Sequence, residues 1–166
     1  MELFTNEVIR GLWLKQPFAS LMLHGKIETR TYPTKVRGNV LICATKEPYD
    51  FEKVISISGY QTHDKIKEVF GHTKHTMLSQ LFLPNGCPIA IGNLIDCRPM
   101  TKQDEDKCFV RFREPWVELT QTKTLHKRLY CWIFADVQKV EPFEIKGKQG
   151  WAILDEETKA KIKIIN

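Results

Sequence analysis

Residues 15–38 read KQPFASLMLHGKIETRTYPTKVRG, and the order in which this stretch switches pattern decides the fold. An apolar run before it, EVIRGLWLK at 7–15, reads as a strand, and Gln16-Pro17 breaks it. Proline suits a first helical position, where its missing N–H would have no partner anyway. Phe18, Leu21 and Met22 then fall at i, i+3 and i+4, which predicts a short helix over about Pro17 to His24. Gly25 ends it. From Ile27 to Tyr32 the pattern alternates, with Ile27, Thr29 and Thr31 on one side and Glu28, Arg30 and Tyr32 on the other. A strand there presents a carboxylate, a guanidinium and a phenol on one face. Lys35 and Arg37 follow Pro33 in a loop, Gly38 punctuates it, and NVLICA at 39–44 reads as a buried strand.

Charge is concentrated in the same stretch. It holds five basic residues (Lys15, Lys26, Arg30, Lys35, Arg37) against one acid, Glu28. Its net of +4 is nearly all of the +5 carried by the 166 residues. A local positive field suits an anionic partner; the competing reading is a solvated basic face without a ligand.

Outward from this stretch, the length predicts one domain over 1–166, with roughly 70% of the unfolded chain's surface buried. Hydrophobic content of 42% and charged content of 27% are ordinary for a globular chain. No apolar run approaches the ~20 residues of a membrane helix, so no membrane association is expected. MELFTNEV at the start lacks a basic segment followed by an apolar one. No secretory signal is therefore expected, and the localisation reads as cytoplasmic. The five cysteines (Cys43, Cys87, Cys97, Cys108, Cys131) include no C-x-x-C pair and read as reduced, buried thiols. His63, His72 and His75 lack acidic or cysteine partners at ligand spacing, so no metal and no cofactor is expected. His24 and His126 are isolated. Nucleophile-elbow, P-loop, zinc-protease and zinc-deaminase motifs are absent from the sequence.

Residues 48–83 change character. Phe51, Val54, Ile55 and Ile57 suggest one helix, Ile66, Val69 and Phe70 a second, and Met77, Leu78, Leu81 and Phe82 a third. Gly59, Gly71 and Pro84-Asn85-Gly86 separate them. Strands are expected at Pro88–Cys97, around Phe109–Phe112 and at Tyr130–Val140, with a further short strand open at Phe143–Lys146. Residues 101–107 are polar. Asp155–Asn166 begins like a helix and finishes like a strand. The expectation is an α+β fold: a small, mainly antiparallel β barrel with peripheral helices and a helical insertion around 48–83.

Three stretches carry a resemblance. They are LWLKQPFASL with GKIETRTYPTKVRGNVLICA, then PIAIGNLIDCRPMT, then YCWIFADVQKVEPFEIKGKQGW. Together the chain resembles the ASCH (activating signal cointegrator homology) family, a branch of the PUA-like superfamily of RNA-associated β barrels. The resemblance runs from about Gly11 to Leu154 and leaves 48–83 as a variable insertion. It implies a cleft lined by the Gln16-Pro17 turn, the segment with Lys26, Glu28 and Arg30, and the late turn Gly147-Lys148-Gln149-Gly150. Members of the superfamily hold RNA, modified bases or nucleotide-like ligands in that cleft. Some small relatives cleave RNA, and others hydrolyse acetylated cytidine with a lysine, a threonine and a glutamate. The family spacing is G-x-K-x-x-E-x-R, whereas here Gly25, Lys26, Glu28 and Arg30 are two residues more compact. No residue matches the family threonine or its distant glutamate.

The candidate binding residues are Gln16, Pro17, Glu28, Arg30, Tyr32, Lys35, Arg37, Lys146, Lys148, Gln149 and Trp151. Glu28 and Arg30 suit a base edge and a phosphate, or else brace the cleft as an ion pair. Tyr32 and Trp151, beside charged turns, suit base stacking, while Trp13 and Trp132 read as core. Gln16 either reads a base or caps its own turn. Loop cations near glycines suit phosphate. The leading function is binding of RNA or of a nucleobase or nucleoside. The alternative is a hydrolase of RNA or of an acylated nucleoside of the N4-acetylcytidine kind, with Lys26 and Glu28 as the catalytic pair. A protein-interaction barrel without a nucleic-acid ligand is the third. A net charge of +5 is mild for a duplex binder and favours single strands or small ligands.

Overall fold

The structure, a computed structural model, describes residues 4–119, 122–125 and 127–166, with the backbone alone for 116–119 and 122–125. Residues 1–3 of the signal-peptide reading and His126 lie outside the described residues. The order of elements is β1 (Arg10–Leu14), α1 (Phe18–Leu21), β2 (Glu28–Arg30), β3 (Gly38–Ala44), α2 (Phe51–Ser58), α3 (Tyr60–Val69) and β4 (Pro88–Pro99). Then come α4 (Glu105–Cys108), β5 (Trp116–Leu119), β6 (Thr122–Leu125), β7 (Tyr130–Lys139), β8 (Ala152–Ile153) and α5 (Glu156–Ala160). A 3₁₀ turn, Met22–His24, extends α1, and Gly25 closes it at φ 82°, a left-handed conformation that glycine adopts without steric cost.

Six strands form one sheet in the order β2-β7-β4-β3-β1-β8, and β5 and β6 form a separate hairpin. β1 and β3 run parallel, with α1 and β2 inside the crossover, and the other pairs are antiparallel. Trp132 stands in β7 and Trp151 immediately before β8, four strand spacings apart in a flat sheet, or about 19 Å at ~4.8 Å each. Their indoles nevertheless stack, with centroids 5.1 Å apart and planes within 7°. Only a sheet curled on itself brings them together, and the resulting α+β half-barrel is consistent with the small, mainly antiparallel barrel expected from the sequence.

Both faces of the central strands are covered, which is why they read as continuous apolar runs. Leu12 and Leu14 of β1 with Val40, Ile42 and Ala44 of β3 pack against Ala19 and Met22 inside the curl. The alternate residues Trp13, Leu41 and Cys43 pack outward under Val140, Leu154 and Ile162. The C-terminal segment covers that outer face. The Asp155 carboxylate accepts from Thr158 N–H at 2.8 Å and starts α5. The buried Lys159 ammonium then donates to the Glu7 carbonyl at 2.7 Å. Ile164 finishes in a bridge to Val140, so the segment is a helix followed by a strand-like end. The insertion starts at Asp50, whose side chain caps α2 by accepting from Lys53 N–H at 2.8 Å. Its Val54 and Ile66 pack on Phe18, Leu21 and Phe109.

The strand expected around Phe109–Phe112 and the one left open at Phe143–Lys146 are both absent among the described residues. Phe109 takes a left-handed φ of 54° at the end of α4. The backbone that follows is satisfied by side chains and by the insertion: Arg111 N–H donates to the Ile57 carbonyl at 2.8 Å and Phe112 N–H to Glu105 Oε2 at 2.7 Å. Phe109–Phe112 joins no strand ladder among the described residues. Phe143 and Ile145 likewise pack on the outer cluster from a segment outside the strands. No described helix is long and apolar enough to cross a membrane.

Candidate functional site

The curl leaves a cleft of about 480 Å³ between the β2 edge and the turn that precedes β8. Lys26, Glu28, Thr29 and Arg30 line it on one side, and Lys148, Gln149 and Gly150 on another. Trp13 and Phe18 contribute from β1 and α1, while Tyr49, Ile57 and Val110 wall it from the insertion side.

Positions 26, 28 and 30 alternate on one strand direction, and their side chains form a linear ion triad. Glu28 Oε1 accepts from Lys26 Nζ at 3.1 Å and from Thr29 N–H at 2.8 Å. Glu28 Oε2 faces Arg30 Nη2 at 3.5 Å. The side chains of Lys26 and Glu28 are only 1% and 7% exposed, against 24% for Arg30. Lys26 Nζ also donates to the Ile27 carbonyl at 3.1 Å and lies 5.5 Å from the Phe18 ring centroid. Arg30 rests over Trp132 at 5.7 Å, a cation–π contact.

Burial pushes the Glu28 carboxyl up. The Lys26 and Arg30 charges and the Thr29 N–H outweigh it and hold the group below the ordinary carboxylate range. Glu28 is therefore an anion at neutral pH and a weak proton acceptor. The triad keeps a net charge of +1. Two N–H donors of cleft-lining residues, Arg30 Nε and Trp13 Nε1, are buried without a partner among the described residues.

The other sequence-derived candidates divide. Lys148 and Gln149 reach the cleft. Gln16 is buried, with its amide donating to Ser20 Oγ at 2.7 Å and to the Pro84 carbonyl at 2.8 Å, while its oxygen accepts from Ser20 N–H at 2.9 Å. With Pro17 it lines a different cavity. Tyr32 lies beyond the end of β2 and sets its ring edge-on to Trp132 at 5.5 Å. Trp132 Nε1 donates to the Tyr32 carbonyl at 3.2 Å, which pins that turn. Trp151 lies half-buried with one face on Trp132. Lys35, Arg37 and Lys146 are exposed and do not line the cleft, and Arg37 Nη1 folds back onto the Val36 carbonyl at 2.8 Å.

Sequence reasoning missed Tyr49, half-buried in the cleft wall, where Phe18 meets it edge-to-face at 5.8 Å and Lys15 Nζ sits 5.6 Å from its ring. It stands on the insertion side, away from the motifs, and only its place after Pro48 hinted at a fixed position. Among the described residues no group of three or more His, Cys, Asp or Glu side chains is placed to hold a metal ion.

The protein is of the α+β class, with a curled sheet that leaves a cation-lined cleft between its edges. Its structure is similar to the crystal structure of ASCH from Zymomonas mobilis, at 13% identity over 92% of each chain with a TM-score of 0.47. No family model matches the sequence, and no curated protein matches it.

Proposed function

We propose that the cleft binds single-stranded RNA or a nucleotide-sized ligand. The observation that carries this reading is the imbalance of the lining. Four cations, Lys15, Lys26, Arg30 and Lys148, face one carboxylate, and among the described residues Arg30 Nε and Trp13 Nε1 have no acceptor. A ligand must bring negative charge and hydrogen-bond acceptors, as phosphate and carbonyl-bearing bases do. Tyr49 offers the aromatic face for a base. The test is fluorescence anisotropy with labelled oligouridine and oligocytidine strands, and calorimetry with cytidine monophosphate, from 50 to 200 mM salt as a rough working range. Binding weakens steeply with salt, and Arg30→Ala lowers affinity. No binding to any of these, or binding indifferent to salt, rejects the reading and leaves the protein-interaction barrel.

The 3.1 Å Lys26–Glu28 contact inside the cleft favours the hydrolase as a second reading. The same titrations followed for product separate the two, because Glu28→Gln ends turnover if that pair does the chemistry. Turnover unchanged in that variant removes Glu28 from any mechanism.

A further inference from the structure

On the other side of Tyr49 lies a larger cavity, about 860 Å³, between the Gln16-Pro17 turn and the helical insertion. We propose that it is a second binding site, for an uncharged, mainly apolar small molecule carrying one hydrogen-bond donor, and that His63 is the acceptor. Its size falls within the span of small-molecule pockets, roughly 300–1,000 Å³. Pro17, Pro48, Phe51, Met77, Leu81 and Phe82 supply apolar wall. Phe51, Met77 and Phe82 are 50%, 63% and 87% exposed, so large apolar side chains gather at this cavity uncovered. Phe82 is held there in a left-handed φ of 51°, unusual for an aromatic residue.

The polar feature is His63, 4% exposed and part of the same wall. Its Nε2 is buried without a hydrogen-bond partner among the described residues. Nδ1 lies 3.4 Å from Asp64 Oδ1, so a neutral ring places its proton there and leaves the Nε2 lone pair bare. Burial and the nearby Lys67 charge push the imidazole toward the neutral form. The half-exposed Phe51 ring packs edge-to-face on the imidazole at 4.9 Å. It is the piece that yields as a ligand's donor reaches Nε2. An anionic ligand fits poorly, because the Lys67 ammonium is already held by the Lys74 carbonyl and by Asp64.

The test uses a matched pair of probes, 2-naphthol and 2-methoxynaphthalene, titrated into the intact chain and followed by amide and imidazole ¹⁵N shifts. The naphthol shifts amides of Asp50–Val69 and 76–83 saturably and moves the His63 Nε2 resonance. The methyl ether, lacking the donor, binds about tenfold weaker. His63→Phe keeps a ring and erases the preference. If that variant fails to fold, the Nε2 resonance of the unaltered chain decides alone. Equal affinity for the two probes, an unmoved Nε2 resonance, shifts confined to the cleft, or no saturable binding overturns the proposal.

Discussion

Glu28→Gln removes one charge from the cleft and almost no volume. Lys26 keeps an acceptor, but its ammonium stays 1% exposed and loses its counter-ion. Breaking a buried pair from one side costs about 3–5 kcal/mol. The Arg30 contact, longer at 3.5 Å and to a side chain 24% exposed, adds at most about 1 kcal/mol, since solvent screens it. For a chain of this length each kcal/mol moves Tm by roughly 2–4 °C, so a drop of about 6–24 °C is expected. Adding Lys26→Met removes the stranded cation, and the double variant returns to within about 1 kcal/mol of the parent. Thermal and urea unfolding of the parent, both single variants and the double at pH 7, followed by circular dichroism, complete the cycle. A loss under about 1 kcal/mol for Glu28→Gln refutes the buried-triad account. So does a double variant as weak as the two singles combined.

Acid sensitivity follows from the same group. The Glu28 carboxyl is held below its unfolded value. Its stabilisation is complete above about pH 5 and lost as pH falls through the folded value. Urea midpoints from pH 7 to 3 should fall more steeply for the parent than for Glu28→Gln, and parallel curves would contradict this. Asp104 accepts a two-pronged Arg98 bond at 2.7 and 2.8 Å and caps Thr101 N–H at 2.8 Å. With Arg98 40% exposed, Asp104→Ala should cost about 1.5–3 kcal/mol in a urea titration. A Cβ on Gly11 would meet the Trp13 ring at 2.6 Å. Gly11→Ala should therefore shift the Trp13 indole N–H resonance and weaken cleft binding, and an unmoved resonance would show the ring is not held there. Trp132→Ala should cost about 3–5 kcal/mol and abolish the near-ultraviolet signature of the stacked indoles.

Much of the chain was legible because the local signals agreed. Pro17, the Phe18/Leu21/Met22 spacing and Gly25 marked α1 and its end, and the apolar run at 39–44 marked β3. The alternation through Glu28 and Arg30 foretold a shared face, and the structure adds Lys26 to it. What stayed hidden depends on distant partners. Nothing in 10–14 or 38–44 announces that β1 and β3 pair in parallel while β2 crosses to the opposite edge. Phe109–Phe112 has a strand's residues, but its backbone groups are taken by Ile57 and Glu105. β8 has two residues, too few for any periodicity, yet it pairs with Arg10 and Gly11 and seats Trp151. Gln16 stands on a cleft motif, but Ser20 and Pro84 absorb its amide. Tyr49 reaches the cleft only because the insertion folds back over α1.

Tyr49 is a party wall: a single ring is common to the cleft and to the cavity under α2 and α3. A displacement of that ring redraws the boundary of both chambers at once. Were both chambers filled, thermodynamic reciprocity would bind the occupants: whatever factor the first applies to the affinity of the second, the second returns to the first. The helices of residues 51–69, folded beside the cleft, thereby make one side chain the shared boundary of two chambers.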